Sequence, residues 1–362
     1  MLDSALNILK KLNSNNYKAY VVGGFVRNYL LGLESNDIDI TTNAKPKEIL
    51  ELFEEAELSS KDYGTVTVIR NGYKFEITTF RKEINYKDHR HPDKIEYIDD
   101  LYEDLLRRDF TINTICMDEN KNIIDCLNGR KDLDKKIIRT VGNPDIRLKE
   151  DALRILRAIR FSTSLKFNLD KELEDAIYKN KYLLKEISYN RKKEELDKIF
   201  TNNNCDNGIK LLLKYNLDEE LELANLSKVV PNSGLIGIWS ILNITDIYPF
   251  TSSEIDIIKK VNKLLTEDYN NMNLYKYGLY INSVVADIKG LDKKKITKDY
   301  NALPIHNRSD LDITSNDIMR VLNKEPGEYL TDIYNDLIDK VVNRKLKNNK
   351  VILTNYIISN YK

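Results

Sequence analysis

The hydrophobic pattern of this 362-residue chain changes period once, near residue 149, and that change limits the folds open to it. Up to about residue 140, short β-branched and aromatic runs alternate with stretches of helical spacing. From about 149 onward, segments such as 151–161, 191–200 and 209–215 carry apolar residues at helical spacing, and strand signals almost vanish. This predicts an α+β N-terminal part built on a mixed sheet, followed by an all-α remainder. At about 100–200 residues per domain, the length allows two or three domains. No repeat of about 20–50 residues is evident.

Within the first part, Ser4 is placed to cap a helix carrying Ala5, Ile8, Leu9 and Leu12. Residues 19–22 read as a buried strand ending at Gly23-Gly24, and Val26, Leu30 and Leu31 begin a helix just after it. Ile38 and Ile40 alternate with Asp37 and Asp39, as on a strand with one apolar and one acidic face. Pro46 opens a helix with Ile49, Leu50 and Phe53 on one side. Residues 65–69 and 73–80 flank Arg70-Asn71-Gly72, the signature of a hairpin. Further on, Pro231-Asn232-Ser233-Gly234 reads as a break between helical subdomains, and Trp239 as core.

Composition removes several classes of function. Hydrophobic residues make up 41% and charged residues 31%, as in soluble globular chains. No apolar run approaches the ~18–20 residues that span a bilayer, and the N-terminus lacks a signal-peptide pattern. A cytoplasmic protein with no membrane partner is expected. Three cysteines, Cys116, Cys126 and Cys205, form neither a disulfide framework nor a zinc motif and are expected to be buried. With only His89, His91 and His306, a metal must sit on carboxylates, which points to a hard cation such as Mg²⁺. Basic and acidic residues number 57 each, so binding of nucleic acid by bulk charge is disfavoured. The last 23 residues nevertheless hold Lys340, Arg344, Lys345, Lys347, Lys350 and Lys362 and no acid. That run is either a solvated helix face or a nucleic-acid contact.

Five short motifs carry chemistry. Gly23-Gly24-Phe25-Val26-Arg27, between strand and helix, lets backbone approach a phosphate and sets Arg27 in the first helical turn. Asp37 and Asp39 share one strand face, so they are either a solvated pair or a Mg²⁺ site. Glu76 is the one acid in an apolar, hydroxyl-rich strand; it is an exposed strand residue or a third carboxylate facing the pair. In Arg107-Arg108-Asp109-Phe110-Thr111-Ile112-Asn113, Arg108 suits a triphosphate, and Asp109 or Thr111 can cap a following helix. In Glu150-Asp151-Ala152-Leu153-Arg154, continued by Arg157 and Arg160, the basic residues and Asp151 form a polar stripe. Asp151 with Arg154 is a helix-surface ion pair or a base reader. A carboxylate accepts from the exocyclic amino group of cytosine or adenine while a guanidinium donates to the ring nitrogen, and uracil and guanine are rejected.

In this order the motifs resemble those of the class II tRNA nucleotidyltransferase and bacterial poly(A) polymerase family, most closely its CCA-adding enzymes. The resemblance is specific over about residues 17–200 and weaker through Leu303-Pro304-Ile305 to the end. It implies a polymerase-β-like nucleotidyltransferase head (1–148), then a helical neck (149–205), body (206–290) and tail (291–362). It implies Asp37 and Asp39 as ligands of Mg²⁺ with Glu76 assisting, and Gly24, Arg27 and Arg108 as triphosphate contacts. Asp151 and Arg154 would read the base, with Arg157 and Arg160 nearby. The tail would hold tRNA, through residues such as Arg344, Lys345, Lys347 and Lys350. The implied reaction is template-independent addition of CCA to tRNA from CTP and ATP, by two-metal transfer with release of pyrophosphate.

The chain departs from the family pattern at Asn28, where Asp is usual, at Asn190, where Glu is usual, and at His91, where Arg is usual. The segment 81–97, a flexible loop in relatives and shortened in CC-adding members, is full length here and favours complete CCA addition. The alternatives are a CC-adding, A-adding or poly(A)-polymerase member, and an idle tRNA-binding protein. Intact Asp37, Asp39, Asp151 and Arg154 argue against the last.

Overall fold

The computed structural model describes residues 1–60, 64–86 and 92–362; His89, His91 and the stretch 87–90 lie outside the described residues. Helix α1 (Leu2–Ser14) buries Ala5, Ile8, Leu9 and Leu12, one per turn or adjacent turn. Ser4 does not cap it. Met1 holds that position, and Ser4 is buried in the first turn, where its hydroxyl accepts from Asn71 Nδ2 at 3.1 Å.

Strand β1 (Ala19–Val22), helix α2 (Gly24–Leu30), strand β2 (Ile38–Thr42) and helix α3 (Pro46–Leu52) follow as the pattern predicts. In α3, Ile49 packs inward and Phe53 just beyond is buried, but Leu50 faces solvent, one position round the helix from Ile49. Next come β3 (Ala56–Ser60), β4 (Thr65–Arg70) and β5 (Tyr73–Thr79). Asn71 and Gly72 take φ of 51° and 78°, the pair of positive values that a two-residue hairpin turn with right-handed strand twist requires.

Among the described residues the main sheet has seven strands in the order β3-β4-β5-β2-β1-β8-β9, the last two being β8 (Cys116–Met117) and β9 (Ile123–Ile124). β2 and β5 run parallel and the other neighbours antiparallel, so the sheet is mixed, as expected. The register sets Asp39 beside Val22 on one side and beside Glu76 on the other. The segment expected as a loop is a ribbon at its base: β6 (Arg81–Tyr86) and β7 (Pro92–Tyr97) pair antiparallel. Its charged residues mask the strand signal, which a ribbon outside the main sheet does not need for burial.

Helix α4 (Leu101–Leu106) is capped by Asp100, whose side chain accepts from the Tyr102 N–H. No α-helix starts within the motif of residues 107–113. Thr111–Asn113 is a single 3-10 turn, and Asp109, expected as a cap, is buried as a counter-ion. Helix α5 (Gly129–Lys135), β10 (Ile137–Ile138) and α6 (Pro144–Glu150) lead to the helical part: α7 (Leu153–Leu165), α8 (Lys171–Asn180), α9 (Tyr189–Phe200) and α10 (Cys205–Lys214). One exception interrupts it, the two-residue strand β11 (Asn168–Leu169), which pairs parallel with β10. Two residues are too few to show a period.

The chain divides into two compact units, Met1–Leu223 and Ala224–Lys362. α7 packs against α9 and α10, which keeps the first helices inside the first unit. In the second unit, helices Asn271–Lys289, Tyr329–Val342 and Lys350–Tyr361 contribute Leu274, Leu337, Leu353 and Ile357 to one core. Pro231–Ser233 is a 3-10 turn inside this unit, and Trp239 is buried against Tyr248 and Phe250. Cys116 and Cys205 are buried, but Cys126 is exposed in the turn after β9. Among the described residues, no helix is long and apolar enough to cross a membrane.

Candidate active site

Gly23 sits where β1 ends and α2 begins, at φ 80° and ψ −136°, a backbone conformation that a side chain resists. A Cβ there would lie 3.6 Å from Asp39 Oδ2 and 3.8 Å from Arg108 Nη1, so the bare turn is also the close neighbour of both groups. Asp37 directly precedes β2 and Asp39 lies on it, with Ile38 and Ile40 buried on the opposite face. Asp37 and Asp39 share a cavity of about 630 Å³ with Gly24, Arg27 and Arg108. The same cavity is lined by Asp151, Arg154, Arg157 and Arg160. Glu76 lies outside it and lines an adjoining cavity of about 490 Å³, shared with Asp39, Arg107 and Arg108. Its carboxylate is half exposed and pairs with Lys74 at 3.1 Å.

Asp39 opens to the cleft yet is crowded by protein. That enclosure pushes its carboxyl up, Arg108 pulls it down, and Glu76 and Asp37 push it up again. Among the described residues no group of three His, Cys, Asp or Glu side chains is arranged to hold a metal ion. Mg²⁺ commonly takes one or two carboxylates and completes its shell with water and substrate phosphates. Asp37 and Asp39 fit that donor set, and a bound cation would favour the charged form of Asp39 against the burial and neighbouring carboxylates that raise it.

The arginines are held from behind by buried partners. Asp109 accepts from Arg157 Nε at 2.9 Å and from its Nη2, from Asn113 Nδ2 at 3.0 Å and from the Phe110 N–H at 2.8 Å. Burial alone would raise the Asp109 carboxyl; Arg157 and these hydrogen bonds outweigh it and hold it well below the usual range. Glu195 of α9, also buried, takes Arg160 Nε at 2.6 Å. Arg27 has no carboxylate within ion-pair reach among the described residues. Its Nη1 donates to Asn113 Oδ1 at 2.6 Å, and its Nε and Nη2 share Asn28 Oδ1 at 3.1 and 2.9 Å. Asn28, the departure from the family pattern, thus braces Arg27 without neutralising it. Burial lowers the Arg27 guanidinium to about 10, against the pull of Asp109. Phe161, not singled out from sequence, stacks beneath three guanidinia: Arg160 at 4.1 Å, Arg27 at 5.1 Å and Arg157 at 5.5 Å from its ring centre. Its signal in the sequence is its place next to Arg160 at the end of the arginine stripe.

Asp151 is not part of α7. It lies between α6 and α7 in extended conformation (φ −142°, ψ 99°), and its Oδ1 accepts from the Leu153 N–H at 3.1 Å. Arg154 pairs with Glu150 at 3.1 Å and donates to the carbonyls of Arg147 and Arg107. The two are therefore not a surface ion pair: Arg154 is buried and its salt bridge is to Glu150. Of the five N–H donors of Arg154, three are engaged, leaving two. Enclosure pushes the Asp151 carboxyl up, with Arg154, the Leu153 N–H, Arg157 and Arg191 pulling it down.

The C-terminal basic run is largely tied to its own unit. Arg344 Nη2 donates to the Ala302 carbonyl at 2.8 Å, Lys345 lies 3.9 Å from Asp339, and Lys350 pairs with Asp317 at 2.9 Å. Lys347 has no ion-pair partner among the described residues. The run is thus not a uniformly solvated face.

Comparison with known proteins identifies the surrounding architecture. A family profile described as "Poly A polymerase head domain" matches residues 19–139, one described as "Probable RNA and SrmB- binding site of polymerase A" matches 166–225, and "tRNA nucleotidyltransferase domain 2 putative" matches 250–357. The chain is 34% identical over 384 residues to a CCA-adding enzyme of Bacillus pumilus, covering 98% of this chain and 96% of that protein. It is 35% identical to one of Ligilactobacillus salivarius, covering 96% and 94%. The crystal structure of the Bacillus stearothermophilus CCA-adding enzyme in complex with CTP superimposes with a TM-score of 0.87 at 28% identity, covering 98% of this chain and 96% of that one. Identity of 34% and 35% to the two curated relatives over nearly the full length of each, together with the mixed-sheet head, makes this chain a member of the CCA-adding enzyme and bacterial poly(A) polymerase family of class II nucleotidyltransferases.

Proposed function

We propose that this protein adds CCA to the 3′ end of tRNA without a template, in the cytoplasm, taking CTP twice and ATP once and releasing pyrophosphate. The observation that carries this reading is the single cavity that holds the Asp37–Asp39 pair, the Gly23-Gly24 turn, the arginines and Asp151 together. Residues 1–148 carry the chemistry, 149–205 select the base, and the helical remainder (206–290 and 291–362) holds tRNA.

The chain's own groups divide the work. The side-chain-free turn at Gly23-Gly24 leaves room for the triphosphate against Arg27 and Arg108, whose guanidinia donate to phosphate oxygens. Arg27, braced by neutral amides, keeps its full charge for that purpose. Asp151 accepts from the exocyclic amino group of cytosine or adenine, and the two remaining N–H donors of Arg154 face the ring nitrogen. A uracil or guanine carbonyl would meet the Asp151 carboxylate lone pair to lone pair. Arg157 and Arg160, fixed by Asp109 and Glu195, wall the nucleotide pocket. Asp37 and Asp39 would hold Mg²⁺, with Glu76 beside them; the bound ion would lower the barrier by stabilising charge at the phosphate and at the attacking 3′-hydroxyl. Among the C-terminal basic residues, Lys347, with no ion-pair partner among the described residues, is open to an RNA phosphate, with Arg344, Lys345 and Lys350 available on exchange of their internal partners.

The product ladder on tRNA lacking CCA tests the reading. CTP alone should extend by two nucleotides, ATP alone by none, and both by three. Extension that stops at two with both present identifies a CC-adding enzyme, and no extension overturns the assignment.

A further inference from the structure

Asp104 is fully buried, on α4, and no part of the reaction described above uses it. A buried carboxylate needs partners, and this one has four. Its Oδ1 accepts from Arg107 Nε at 2.9 Å and Nη2 at 2.8 Å and from the Arg81 N–H at 3.2 Å. Its Oδ2 accepts from Thr41 Oγ1 at 3.2 Å and from Arg108 Nη2 at 3.4 Å. Burial alone would raise the Asp104 carboxyl; Arg107 and Arg108 outweigh it and hold it lowered and ionised.

Thr41 lies two residues after Asp39 on β2, so both side chains leave the same face of the strand. Arg108 stands between two carboxylates: its Nη2 is bonded to Asp104, while its Nη1 and Asp39 Oδ2 both approach the same Gly23 position, where its charge pulls Asp39 down. Its main chain is fixed as well, since Arg147 Nη2 donates to the Arg108 carbonyl at 3.1 Å. Its buried Nε has no acceptor among the described residues, so the protein alone does not satisfy this side chain. Two carboxylates thus compete for one guanidinium, and the buried one is the one it bonds.

We propose that Asp104 is a positioning residue: through Thr41 and Arg108 it ties the triphosphate-facing guanidinium to the strand that carries Asp39, and it keeps Arg108 from folding onto Asp39. Without that tether Arg108 pairs with Asp39 and is withdrawn from the phosphates. The effect falls on the part common to all nucleotides, so base choice is untouched.

The proposal rests on Arg108 as a triphosphate contact, and the experiment separates the two. Binding of inorganic tripolyphosphate to the full-length protein in EDTA is measured beside steady-state kinetics, with CTP on tRNA lacking CCA and with ATP on tRNA ending in CC. Asp104→Asn should weaken tripolyphosphate about tenfold and raise KM for CTP and ATP by that same factor, with kcat within about threefold and the preference for CTP over UTP unchanged. Thr41→Val, which removes only the hydroxyl donor, should move both in the same direction by roughly threefold. Unchanged tripolyphosphate binding and KM in folded Asp104→Asn, with a lower kcat from lost active protein, would mean a purely structural role and overturn the proposal. If Asp104→Asn does not fold, Thr41→Val decides in the same way. If Arg108→Gln itself leaves tripolyphosphate binding unchanged, the underlying reading of Arg108 falls instead.

Discussion

Two stretches of this chain are rich in basic residues, and they meet different ends. Arg154, Arg157 and Arg160 recur every three residues on α7; Arg344, Lys345, Lys347 and Lys350 cluster near the C-terminus. On α7 the backs of the arginines are held by Glu150, Asp109 and Glu195, and their faces line a cavity. In the C-terminal run, Arg344 and Lys350 reach a carbonyl and a carboxylate of their own unit, and the contacts are exposed. A buried, bidentate or networked guanidinium is fixed in place and keeps its charge for a ligand, whereas an exposed lysine pair contributes about 0–1 kcal/mol and exchanges freely. Density of positive charge in a sequence therefore says little about a binding role until the counter-ions are located.

The cleft side of this comparison predicts the largest effects. Asp39→Asn should lower nucleotide incorporation by about a thousandfold or more, measured in single turnover with CTP. It should not lower the melting temperature. The Asp39 carboxyl is raised by its surroundings, so its charge opposes folding at neutral pH and its removal relieves that. A large drop in melting temperature would show that Asp39 is a structural residue.

Next in size is the buried tether of Arg157. Asp109→Asn leaves that guanidinium without its counter-ion and should reduce unfolding free energy by about 3 kcal/mol in chemical denaturation. The pH dependence has a defined sign. Asp109 titrates in the folded protein well below the ~3.9 of an unfolded chain. Its stabilisation is therefore complete above about pH 4 and is lost as pH falls toward the folded value. Wild type should lose stability more steeply than Asp109→Asn below about pH 4; parallel curves would remove the pair from the account.

Base choice comes third. Asp151→Ala should cut discrimination of CTP and ATP against UTP and GTP by roughly 10- to 100-fold, read from incorporation of each triphosphate. Full selectivity in that variant would leave Asp151 as a helix cap for the Leu153 N–H and nothing more.

The smallest effects belong to the exposed run. Lys347→Ala should reduce the slope of log affinity for tRNA against log salt by about 1, and Lys350→Ala, paired with Asp317, by less. Equal slopes for both variants and wild type would exclude this face from RNA contact.

Much of the site was legible in the sequence because its parts depend on local order. The glycine turn, the Asp37–Asp39 face, the Asn71-Gly72 hairpin and the arginine spacing follow from strand and helix periods within a few residues. The strands β1, β2 and β5 and the helical second part were legible for the same reason: each carries its own hydrophobic pattern. The ribbon β6–β7, too polar to show a pattern, and β11, too short to have a period, were not.

Tertiary structure decided which charges meet. Asp109 lies 48 residues from Arg157, Glu195 lies 35 from Arg160, and Thr41 lies 63 from Asp104. No local pattern encodes such pairings, since an acid at a cap position and an acid at a counter-ion position look alike in a chain. Asp109 reads as a cap and is a counter-ion; Asp151 reads as a helix residue and is a cap; Arg154 reads as the partner of Asp151 and bonds Glu150. The sequence by itself determined which chemical groups this protein has and on which elements they ride. Only the packed structure determined which of them are held and which are left open to a ligand, because burial, and the counter-ion that burial demands, are properties of the assembled fold.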